Sequence, residues 1–261
     1  MTLFLHELRT NRTALIIWSA AISFMIGVCV IIYPEMSSQM GDISAMFADM
    51  GAFSDAFGMD KLNFGEFMGY FGVECGNTLG LGGALFAAIL GSGALAKEET
   101  GHTAEFLLTH PISRTKIITS KLLSSAAQIL ILNAAVIAVT VICTLIVGVE
   151  ADAGAMALLF LAYVLLQLEI MAITFGLSAF MRGGELGVGL GIVFGMYFLN
   201  ILANLTEDLK FIKFITPYSY ADGAHIVPEK SLEIKYLAVG AAMAVAGIVI
   251  AYWKYRKKDI A

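Results

Sequence analysis

Residues 122–149 read LLSSAAQILILNAAVIAVTVICTLIVGV, 28 uncharged positions closed by Lys121 on one side and Glu150 on the other. A helix needs about 20 predominantly apolar residues to cross a hydrocarbon core about 30 Å thick, rising about 1.5 Å per residue. This run exceeds that length, and it is too long and continuous for a barrel strand, which alternates over about 10 residues. The same reading extends along the chain in both directions. Arg12 to Glu35 and Glu74 to Lys97 each enclose 22 uncharged residues, Glu185 to Glu207 encloses 21 and Lys235 to Lys254 encloses 18. Asp152 to Arg182 is interrupted only by Glu169. Six such gaps predict an all-α integral membrane protein, one domain over residues 1–261. Its six transmembrane helices are expected near 14–33, 74–96, 122–148, 154–181, 186–205 and 235–253.

Composition agrees. Of 261 residues, 59% are hydrophobic and only 14% charged, against about 25% charged in soluble domains, and mean hydropathy is +0.82. A water-soluble enzyme could not cover its surface with so little charge, and disorder needs the opposite composition. A net charge of -5 argues against nucleic acid as a partner. Cys29, Cys75 and Cys143 fall in or beside apolar runs with no metal or disulfide spacing, and read as small buried hydrophobes. The first run, Thr13 to Tyr33, is longer than the apolar region of a signal peptide and lacks a cleavage pattern. It is read as a retained span.

Six spans put both termini on one side. That side would hold 11 of the 16 Lys and Arg residues, so the positive-inside rule predicts cytoplasmic termini. Two outer segments follow, 34–73 and 206–234. In the first, Met46, Met50, Phe53 and Phe57 form a helical stripe, which would lie on the outer surface or on the protein's own spans. In the second, Phe211, Ile212, Phe214 and Ile215 between charges suggest a short half-inserted helix.

The cytoplasmic segment 97–121, KEETGHTAEFLLTHPISRTKIITSK, carries most information. Phe106, Leu107 and Leu108 form an apolar patch among Lys97, Glu98, Glu99 and Glu105. Pro111 ends any helix before it, and Ser113 is placed to cap a new one. Exposed apolar residues rimmed by charge mark docking surfaces, against the plainer reading of a structured turn.

This segment resembles the loop between the second and third spans of type-2 ABC transporter permeases, whose pattern E-E-x-x-G-T-x-E-x-L-L is followed by P-x-S-R and a later Lys. The matching positions are Glu98, Glu99, Gly101, Thr103, Glu105, Leu107, Leu108, Pro111, Ser113, Arg114 and Lys121, with Gly101 one position earlier than in the pattern and His102 between it and the Thr. The resemblance extends to the whole layout. It implies that Glu98 to Arg114, Phe106 included, form a coupling helix seated in a separate ABC ATPase subunit. It also implies that residues 2–12 form an amphipathic elbow helix. A second permease copy or paralogue would complete an exporter in a bacterial plasma membrane, working by alternating access. This chain would bind no cofactor; ATP and Mg would sit on the partner ATPase. In keeping with that, the sequence contains no G-x-x-x-x-G-K-S/T run to cradle phosphates.

Two other function classes compete. An intramembrane protease would use Glu98-Glu99 as the E-E-x-x-x-R motif of CAAX-type proteases, but Thr103 stands where Arg is required. No H-E-x-x-H occurs, and all four histidines lie outside the apolar gaps. A secondary transporter or channel would use an intramembrane charge, and Glu169 is the one near the middle of a span. Gln167, Asn133, Asn200 and Asn204 are its possible polar partners, and Glu169, Asn133 and Asn200 are candidate contacts along a substrate path. Gly72, Gly76 and Gly80 on the second span, and Gly183, Gly187, Gly191 and Gly195 on the fifth, recur every four residues. They are expected to serve close contact mostly within the chain.

Overall fold

In lipid, helices gain nothing by hiding apolar surface from their surroundings, and small residues that let backbones approach decide where they meet. The computed structural model of the chain describes residues 2–37, 51, 54, 56, 62–100, 113–181 and 186–257. Among them are nine α-helices and no strand. α1 is Thr2–Thr10 and α2 is Arg12–Ser37. α3 (Phe67–Cys75) runs through a π-helical turn, Gly76–Leu81, into α4 (Gly82–Thr100). α5 is Arg114–Val147, α6 is Ala153–Ser178 and α7 is Leu186–Leu205. Two 3-10 helices (Glu207–Phe214 and Pro217–Ser219), α8 (Gly223–Glu229) and α9 (Ile234–Lys257) complete the order. Six are long and apolar enough to cross a membrane: α2, the joined α3–α4 rod through Ala96, α5, α6, α7 and α9. The stripe from Met46 to Phe57 lies outside the described residues.

Local chemistry sets the ends. The Ser113 hydroxyl accepts from the Lys116 N–H at 3.3 Å and starts α5, as its capping role predicts. Gly148 closes α5 in the left-handed region, at φ 72, where a residue without Cβ is at ease. Asp152 starts α6 by accepting from the N–H groups of Gly154 and Ala155 at 2.9 and 3.0 Å.

Two spans begin well before the charge gaps predict. The second begins at Phe67, not 74, so Glu74 lies inside it and accepts from the Cys29 thiol at 3.8 Å. The third begins at Arg114, not 122, which places Lys121 within the helix. The charge gaps place both residues at span boundaries. Each has a protein partner, so neither has to end a helix.

The second and fourth spans form the centre, with 72% and 61% of their apolar windows buried, against 17% for the fifth. Gly83 leaves room for the Gln167 side chain, Gly91 for Thr174, and Gly76 and Gly80 for the Tyr163 ring. On the other flank of α6, a Cβ at Gly176 would lie 2.6 Å from the Gly247 carbonyl oxygen, so α9 crosses α6 backbone against backbone. The fifth span differs from expectation. Among the described residues, Gly187, Gly191 and Gly195 have no atom within 4 Å of where a Cβ would sit. Among the described residues their four-residue period makes no contact, and α7 touches the bundle through its opposite side, at Gly189 against Ala88 and Ser92. Gly183 lies outside the described residues.

Candidate functional site

The end of the bundle that carries both termini is fastened by charge. Arg114, the first residue of α5, turns its guanidinium onto the C-terminus of α9, where Nη1 donates to the carbonyls of Tyr255 and Arg256 at 3.2 and 3.3 Å. A cation there meets the negative end of the helix dipole. Two turns further along α5, Lys121 Nζ donates to Glu7 Oε1 of α1 at 2.7 Å. The two side chains are only 1% and 6% exposed. The root of the 97–121 segment is thereby tied to the first helix and to the last.

Of the residues assigned to coupling, the structure places Ser113 and Arg114 at this root. Glu98 and Glu99 fall in the last turn of α4. Gly101, Thr103, Glu105, Phe106, Leu107, Leu108 and Pro111 lie outside the described residues. Arg114 is turned inward to α9; that inward turn makes it a positioning residue. The Glu7–Lys121 pair was not foreseen. Its signal was a lone acid on an otherwise basic amphipathic α1.

The intramembrane polar residues do not converge. Glu169 is buried, and its Oε2 accepts from the Tyr220 hydroxyl at 2.8 Å. Burial, and then the nearby Glu169, pushes the Tyr220 hydroxyl well above the ordinary tyrosine range, so it stays a donor. This partner differs from the four weighed from sequence. The chain after the fifth span folds back into the bundle and delivers Tyr220 from 51 residues further along. Gly240 makes the seat, since any Cβ there would collide with the Glu169 carboxyl group. Asn133 instead donates to Gln167 Oε1 at 2.6 Å, and Gln167 Nε2 to the Leu79 carbonyl at 3.3 Å. That chain stitches the third, fourth and second spans together. Asn200 accepts from Ser219 Oγ at 3.1 Å.

A second polar region surrounds the π-helical turn. A cavity of about 60 Å³ there is lined by Asn77, Asn200, Asn204, Tyr163 and Tyr218, among others. Asn77 Oδ1, on the π turn, accepts from the Tyr197 hydroxyl at 3.0 Å. The hydroxyls of Tyr163 and Tyr218 are buried without a protein partner among the described residues. A polar space of this size has room for water. A π turn widens the helix locally and is often found where helices do work. No group of three or more metal-ligating side chains occurs among the described residues.

The family described as ABC-2 family transporter protein matches residues 1–260 of this chain. No curated protein matches it.

Proposed function

The chain belongs to the ABC-2 transporter family, and from that premise we propose that it is the permease subunit of an ATP-driven exporter in the plasma membrane. A separate ATPase supplies the energy, through the segment 97–121. The single observation that carries this reading is the match over residues 1–260, joined to a sequence without a phosphate-cradling loop.

What supports the coupling role is how α5 is rooted. A push on its N-terminal end reaches α1 through Lys121 and α9 through Arg114. The elbow role of residues 2–12 is supported by α1 being a separate helix seated on α5. A second copy, or a paralogue, completes the transporter. The open face of α7, with Gly187, Gly191 and Gly195 beside exposed Phe194 and Phe198, is the surface offered to it. Glu169 is the intramembrane contact we assign to substrate. Asn133 and Asn200 hold the bundle and its returning segment in place.

The test is reconstitution. The purified chain alone should hydrolyse no ATP, and co-expression with its ATPase should yield a complex that hydrolyses ATP and moves substrate. Hydrolysis by the contaminant-free isolated chain would overturn the assignment.

A further inference from the structure

Between α5, α6 and α9 lies a lateral groove of about 430 Å³, lined by Leu123, Leu168, Val245 and Ile248 together with Glu169 and Tyr220. Sites that hold small molecules measure about 300–1,000 Å³. Small residues on α9, Ala241 and Ala244, leave room for the groove between its larger Leu237, Val245 and Ile248. Leu123 and Val245 are exposed at its rim, so in a membrane it opens to lipid.

One polar feature breaks this apolar wall. Among the described residues the lining holds no lysine, arginine or histidine, and Glu169 is its sole carboxylate. Tyr220 satisfies Oε2. Oε1 is buried and has no hydrogen-bond partner among the described residues. An ionised carboxylate at this depth needs a second donor or a counter-charge, and the groove lining supplies neither.

We propose that this groove binds a membrane-dissolved lipophilic amine. Its apolar body lies along α5 and α9, and its N–H group donates to Glu169 Oε1. Glu169 is part of the groove lining, so the amine meets its carboxyl group there. Depth selects this occupant over a phospholipid headgroup. Gly240, on which the carboxyl group rests, is six residues into α9 from Ile234, about 9 Å along the helix. A headgroup amine at that depth would draw its own phosphate into hydrocarbon.

The inference deepens the reading of Glu169 as a substrate contact and rests on it. The experiment measures binding of radiolabelled dodecylamine and of dodecanol to the purified full chain in phosphatidylcholine nanodiscs, at matched mole fractions in the bilayer. Dodecylamine should bind saturably and at least tenfold more tightly than dodecanol. Glu169→Gln should bring the amine down to the alcohol's level, and Val245→Trp, which fills the groove away from the carboxyl group, should weaken both. Equal binding of amine and alcohol by the wild-type chain, no saturable amine binding, or an amine preference that survives Glu169→Gln would each overturn the proposal. The wild-type comparison decides the matter even if a variant fails to fold. Retention of the ATPase by Glu169→Gln, measured alongside, should be unchanged, so failure of this site and failure of the export reading are told apart.

Discussion

Replacing Lys121 by Met keeps the length of the side chain and removes its ammonium group. Glu7 Oε1 then loses a donor at 2.7 Å, in a place where its own side chain is only 6% exposed. Removing one partner of a buried ion pair costs about 3–5 kcal/mol, because the remaining charge stays out of water. A limit on that cost is release of α1, which carries Glu7 back to the aqueous side. With nine residues, α1 is too short to persist as a helix on its own in water, so release means local unfolding. Lys121→Met should therefore destabilise the chain by about 3–5 kcal/mol or unfold α1 and let trypsin cut after Arg9. The double variant Glu7→Leu with Lys121→Met should regain most of the loss, since well-fitted apolar residues often replace a buried pair at little cost. Unfolding in mixed dodecyl maltoside and SDS micelles, followed by tryptophan fluorescence, measures all three variants and gives the coupling directly. A single variant within about 1 kcal/mol of wild type, with α1 still protected, would refute the claim that this pair holds α1 to the bundle.

Other outcomes follow from the glycines, the charges and the layout. Gly247→Val should destabilise the fold by about 1–3 kcal/mol or more, because α6 and α9 meet there through their backbones; Gly191→Val should leave the monomer's unfolding unchanged and weaken association of two copies, read by light scattering. Lys230 donates to Asp152 and holds its carboxyl below the usual carboxylate range. That stabilisation is fully present above about pH 4 and fades as pH falls through the lowered value. Asp152→Asn should therefore reduce the loss of stability on acidification, measured by thermal unfolding from neutral pH to pH 3. A cysteine placed at Lys213 should react with an impermeant maleimide on intact cells, and one at Lys257 only after permeabilisation; the reverse pattern would invert the topology.

The spans were legible because lipid penalises any charge that lacks a partner, so charge-free gaps mark the crossing helices. Their ends were less legible for the same reason turned around. Lys121 and Glu74 sit inside helices because Glu7 and Cys29, 114 and 45 residues away, receive them, and a gap count sees no distant partner. Glu169 stood out by isolation within its span. Its partner Tyr220 did not, since nothing local in Pro217-Tyr218-Ser219-Tyr220 shows that this segment turns back into the bundle. The glycine repeats show the limit of periodicity. On the second span Gly76 and Gly80 meet Tyr163 and Gly72 meets Val227, while Gly187, Gly191 and Gly195 on the fifth meet none of the described residues. Spacing gives a face its composition and leaves open what the face touches.

The coupling role of residues 97–121 is tested most directly by Leu107→Asp, compared with wild type and with Lys257→Ala for ATPase co-purification and transport from the same membranes. A charge in the docked apolar patch with Phe106 and Leu108 should cost several kcal/mol of association, on the order of the penalty for an unpaired buried charge. Leu107→Asp should reach the membrane at normal levels, lose the ATPase and transport nothing, while Lys257→Ala retains both. If Leu107→Asp still retains its ATPase and transports normally, the segment does not couple the two subunits, and a carrier centred on Glu169 becomes the better account.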